Sequence, residues 1–116
     1  MSAEQDRILN AGRKVIEFTV KGLDDLKIHM RPLNVAEFQK VRALASEAKG
    51  DAGKLNECSM YLVACSICDA SGARVFIDAE VSKLEAMVGR GLDEISLKAQ
   101  QLNGMTTETR DETAKK

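Results

Sequence analysis

The spacing of hydrophobic and polar positions changes several times along this chain, and each change marks the edge of an element. Ser2 stands three residues before Gln5 in capping-box spacing, and Ile8 and Leu9 follow before Gly12; this predicts a short, loosely docked N-terminal helix. From Val15 the period falls to two. Ile16, Phe18 and Val20 alternate with Glu17 and Thr19, and after a turn at residues 21–25 Leu26, Ile28 and Met30 alternate with Lys27, His29 and Arg31. The pattern predicts a β-hairpin with one apolar face and one wet face. Pro32, the single proline, cannot donate to a strand ladder and ends the second strand.

Helical periods follow. Asn34 and Glu37 form a second capping-box pair, and Phe38, Val41, Leu44, Ala45 and Ala48 share one stripe of a helix reaching about Lys49. After Gly50-Asp51-Ala52-Gly53, a helix from about Lys54 to Cys68 carries Leu55, Cys58, Leu62 and Cys65 on one stripe and Met60, Val63 and Ile67 on another. Apolar residues on several sides predict a central helix. Asp69-Ala70-Ser71-Gly72 is turn chemistry, and Arg74 to Ile77 is read as a short extended piece. Asp78 is expected to cap a helix through about Val88, with Val81, Leu84, Met87 and Val88 facing inward. Gly89 and Gly91 are expected to break the backbone before a last helix bearing Leu92, Ile95, Ala99 and Leu102, which Asn103-Gly104 closes. The expected fold is α+β and predominantly helical, an N-terminal β-hairpin packed on four to five helices, with one domain over 1–104. Residues 105–116, polar beyond Met105, are expected to form a flexible, disordered tail.

Composition narrows the function classes. Lys and Arg total 17 against 18 Asp and Glu, a net charge of −1, which argues against nucleic acid or an anionic membrane surface as partner. There is no Trp and one Tyr, so platforms for stacking bases are scarce. Charged residues within the first twenty positions exclude a signal-peptide core there, and the apolar run Met60–Cys68 is too short to span a bilayer. Three clustered cysteines, Cys58, Cys65 and Cys68, suit a reducing compartment better than a disulfide scaffold.

No arrangement of residues points to catalysis, a metal or a cofactor. Cys65-x-x-Cys68 lies at the expected C-terminal end of a helix, where the dipole opposes a thiolate, so the cysteines are read as small core side chains. His29 is the only histidine and is read as a solvated strand residue. Gly89-Arg90-Gly91 does not extend to a dinucleotide fingerprint, and Asp69-Ala70-Ser71 lacks the downstream oxygen ligands of a calcium loop. The acidic pairs Asp24-Asp25 and Asp93-Glu94 are read as a turn and as a favourable first helical turn.

Taken in order, the hairpin, Arg31-Pro32-Leu33, the apolar helix ending in Ile67-Cys68-Asp69-Ala70-Ser71-Gly72, then Val75-Phe76, Asp78-Ala79-Glu80-Val81, Leu84 and Leu102-Asn103-Gly104 form a pattern. It resembles the tail assembly chaperones of long-tailed bacteriophages. The resemblance runs over roughly residues 15–104, and its most specific parts are the Asp-x-x-Gly turn with Phe76 after it and the Leu-Asn-Gly ending. It implies a non-enzymatic protein of the host cytoplasm, absent from the mature virion, that binds the tape-measure protein, keeps it soluble and helps the tail tube polymerise. Implied partners are the tape-measure protein and the major tail-tube protein, with self-association. The family requires an apolar or adaptable surface for such a partner. Candidates are Met87, Val88, Leu92, Ile95, Leu102 and Met105, against which stands the plainer reading of the stripe as ordinary core. A second class of function, a small structural tail-completion or head-to-tail joining subunit of the particle, fits the same composition.

Overall fold

The computed structural model describes residues 2–105. The first helix, α1 (Ala3–Asn10), begins with the expected capping box: the Gln5 N–H donates to Ser2 Oγ at 3.1 Å and the Gln5 side chain accepts from the Ser2 N–H at 3.3 Å. None of its residues is buried. Strands β1 (Ile16–Val20) and β2 (Leu26–Met30) pair antiparallel, with Phe18 opposite Ile28 and Ile16 opposite Met30. Because side chains alternate across a strand, this register gathers Ile16, Phe18, Val20, Ile28 and Met30 on one face. The turn between the strands is a 3-10 turn at Lys21–Leu23 followed by Asp24 and Asp25, both left-handed at φ 56° and 60°.

Asn34 caps α2 (Val35–Ala48) as its sequence predicts, accepting the Glu37 N–H at 2.9 Å while the Glu37 carboxylate accepts the Asn34 N–H at 3.0 Å. The stripe of α2 differs from its helical wheel. Val41 and Ala48 are buried, Ala45 is exposed, and Glu37, the capping-box acid, which is not on that stripe, is buried against Arg31.

The central helix is α3 (Ala52–Ser66), capped by Asp51, which accepts the Lys54 N–H at 3.0 Å. It packs against α2, the last helix and the 3-10 helix described below, which is why Tyr61 to Ser66 are buried on consecutive positions. Leu55, expected on its buried stripe, is instead exposed in the first turn. The helix also ends earlier than expected. Ile67 and Cys68 form β3, a two-residue strand antiparallel to β2, with Met30 opposite Ile67 and His29 opposite Cys68. The Arg31 N–H donating to Ser66 O at 2.9 Å and a bridge from Cys68 to Arg74 hold it there. The sheet order is β1-β2-β3.

Residues Asp78–Ala86 form a 3-10 helix in place of the expected α-helix. Asp78 does not cap it; its carboxylate is taken by Arg74 at 2.8 Å, while Glu80 accepts the Ile77 N–H at 3.2 Å. Leu84 anchors this segment in the core.

The last helix, α4 (Gly89–Leu102), starts at Gly89, so the glycines expected to interrupt the chain lie within its first turn. Gly91 is there for proximity: a Cβ on it would collide with the Leu23 side chain, and one on Gly22 would meet the α4 backbone at 3.1 Å. The Gly22 N–H donates to Glu94 Oε1 at 2.8 Å, so Glu94 ties the hairpin turn to α4 and is no first-turn acid. Gly104, at φ 67°, terminates α4 as predicted. The fold is thus α+β and predominantly helical, with its core where the sheet's apolar face, α3, α4 and Leu84 meet. The flexible tail expected beyond residue 105 lies outside the described residues. Met105 itself belongs to the packed body: its N–H donates to Gln100 O at 2.8 Å and its side chain packs against the core.

Candidate functional site

Two of the short sequence motifs tie separate parts of the fold together. Asn103 accepts the Leu33 N–H at 3.0 Å and donates to Ala99 O at 2.8 Å, so the Leu-Asn-Gly ending of α4 is tied to the Arg-Pro-Leu corner before α2. Asp69 Oδ1 accepts from the Ser71 hydroxyl at 2.6 Å, the Ser71 N–H at 2.8 Å and the Ala73 N–H at 3.1 Å. Those bonds, the hydroxyl first, hold its carboxyl below the usual aspartate range, and they close the turn that returns the chain to Cys68.

Under this corner lies a charged cluster. Arg31 makes a fork with Glu37, Nη1 to Oε1 at 3.0 Å and Nη2 to Oε2 at 3.1 Å. Burial works to raise the Glu37 pKa, but the Arg31 hydrogen bonds, the Asn34 N–H and the charges of Arg31 and Arg74 outweigh it and hold the carboxyl below its ordinary value. Arg74 reaches Asp78 at 2.8 Å and Glu37 at 4.0 Å, and Lys40 sits 3.7 Å from Asp78 and 4.5 Å from the Tyr61 ring centroid. Every acid in the cluster faces a cation, which is the arrangement of a structural tie between β2, α2 and the 3-10 helix.

The thiols of Cys58, Cys65 and Cys68 are buried and unpaired with one another, and burial raises the pKa of each. Cys65 and Cys68 straddle the α3–β3 junction. His29 is half-buried beside Cys68 in the sheet, so the face expected to be wet is partly covered. Among the described residues no group of three or more His, Cys, Asp or Glu side chains could hold a metal ion, and no helix is long and apolar enough to cross a membrane.

The six residues singled out as a partner surface do not form one exposed patch. Ile95 is 1% exposed and is a core residue, because α4 lays its stripe against α3 and the hairpin turn. Met87, Leu92, Leu102 and Met105 are half-buried against that core. Val88, expected to face inward, is 58% exposed just before α4.

A further uncovered apolar edge is one that helical periodicity alone did not single out. Ile8 and Leu9 of α1 face solvent, as does Val35 in the first turn of α2. Between them runs a groove of about 940 Å³ whose apolar walls include Ile8, Leu9, Val15, Pro32, Leu33 and Val35. It continues past Val35 to a shallower hollow lined by Phe38 and Arg42. The available signal was the capping box followed directly by Ile8-Leu9 and then Gly12, an amphipathic helix too short to support itself.

A closed core, ties from the Asp69 turn and the Asn103 ending, and a groove at one edge define a small α+β scaffold. No protein-family model matches this sequence, and no curated protein does. The fold does have a solved counterpart, the tail assembly chaperone of bacteriophage HK97, similar over 87% of this chain and 98% of that one with a TM-score of 0.66. The sequences are 15% identical, so the likeness is one of fold: this chain has a phage tail assembly chaperone-like fold.

Proposed function

We propose that this chain is a non-enzymatic phage tail assembly chaperone that binds the tape-measure protein, keeps it soluble and assists tail-tube polymerisation in the host cytoplasm, without entering the virion. The observation carrying this reading is the fold likeness to the HK97 chaperone over most of both chains. The uncovered apolar side chains of α1 and the α2 N-terminus support it, since a chaperone needs apolar surface that its own core does not use. On the last helix, Val88 is the candidate reachable without unpacking, flanked by the half-buried Met87 and Leu92. The major tail-tube protein is the proposed second partner.

Co-expression with the tape-measure protein of the same genome tests the reading. It predicts more soluble tape measure and a co-purifying complex; a tape measure equally soluble alone, with no complex, would refute it. Mass spectrometry of purified virions separates it from a structural subunit, because the chaperone reading predicts that the chain is missing from them.

A further inference from the structure

The charged residues lining the groove are all of one sign. Arg13 and Arg31 line its main part and Arg42 the adjoining hollow, and no Asp or Glu lines either. Arg31 is neutralised by its fork with Glu37. Arg13 and Arg42 have no carboxylate partner among the described residues: Arg13 reaches Asn10 Oδ1 at 3.5 Å, and Arg42 lies 4.6 Å from the centroid of the Phe38 ring. Both are exposed. Although the chain's net charge is −1, the groove and its adjoining hollow thus carry two cations, Arg13 and Arg42, with no carboxylate partner among the described residues, beside the apolar side chains of Ile8, Leu9, Leu33 and Val35.

We infer that this groove is the docking site for an acidic amphipathic helix of the partner, its apolar stripe lying on Ile8, Leu9, Leu33 and Val35 and its flanking carboxylates meeting Arg13 and Arg42. The helix-in-groove mode supplies the affinity from apolar burial, and the rim charges set which segment is chosen and in what orientation. α1 forms one wall with no buried residue of its own, so an occupant would bury the sides of Ile8 and Leu9 that water now covers. This assignment rests on the chaperone reading, because it takes the partner to be the tape-measure protein.

The test uses peptides tiled along the tape-measure protein, with binding to the full chain followed by fluorescence anisotropy. The expected binders carry a helical apolar stripe with net negative charge. Their affinity should fall about tenfold in Val35→Ser and in the double variant Arg13→Glu, Arg42→Glu, and should weaken as salt is raised. All three positions are exposed, and thermal melts would verify that the variants fold. Binding of basic or uncharged segments, or binding untouched by the groove variants, would overturn the groove assignment while leaving the chaperone reading in place. Absence of binding by any peptide, together with failure of the intact proteins to associate, would remove both. Variants that alter only the oligomeric state of the free chain would make the groove a contact between copies and likewise overturn the assignment.

Discussion

Ile95 of α4 and Ile8 of α1 are the same residue on the same kind of amphipathic helix, yet one is 1% exposed and the other 67%. α4 is held at both ends, by Glu94 to the hairpin turn and by Asn103 to Leu33, so its stripe has a partner from the first turn to the last. α1 has a good N-cap and nothing to lie on. An apolar stripe therefore states which face of a helix must be covered; long-range ties decide whether this chain covers it or leaves it to another.

That contrast is open to direct attack. Ile95→Ala should cost about 3–4 kcal/mol in a urea titration, because it opens a cavity in a packed core. A cost under 0.5 kcal/mol would make α4 a surface helix after all. Glu37→Gln should cost about 2 kcal/mol, since it leaves the half-buried Arg31 without its charge partner. The Glu37 carboxyl is held below its ordinary value in the folded chain, so its contribution is present above the unfolded pKa of about 4.3 and fades as the pH falls through the lower folded value. Melting temperatures from pH 6 to pH 3 should accordingly drop less steeply in the variant. Gly91→Ala should destabilise by about 1 kcal/mol by thermal melt, the collision with Leu23 outweighing the helix propensity that alanine adds. At the other end of the scale, Ile8→Ser should change stability by less than about 0.5 kcal/mol while reducing recovery of the co-expressed tape-measure protein in a pull-down. A large stability loss would show that α1 is part of the core.

Local chemistry was readable in the sequence where it acts within a few residues. The alternation from Ile16 to Met30, the Ser2 and Asn34 capping boxes and the Gly104 stop all lie where their residues predict. What escaped depends on contacts made far along the chain. Ile67 and Cys68 read as the end of a helix because nothing local reveals that β2 supplies a strand to pair with them. Gly89-Arg90-Gly91 read as a break because the reason for Gly91 is Leu23, distant in sequence. Glu37 read only as a capping-box acid because its ion partner Arg31 lies across Pro32, outside the helix. Exposure along the candidate surface was hidden for the same reason: periodicity picked out the α4 stripe, which the fold covers at Ile95 and leaves open at Val88, and gave no sign of Val35, a lone apolar residue at a helix start.

Partner binding is proposed to use the loosely held α1–α2 edge and not the packed body. Amide hydrogen exchange of the chain, free and in complex with the tape-measure protein, tests it most directly. The account predicts slowed exchange on binding at residues 3–15 and 32–42, with α4 unchanged; protection confined to residues 88–102, with the α1–α2 edge exchanging as fast as before, would contradict it.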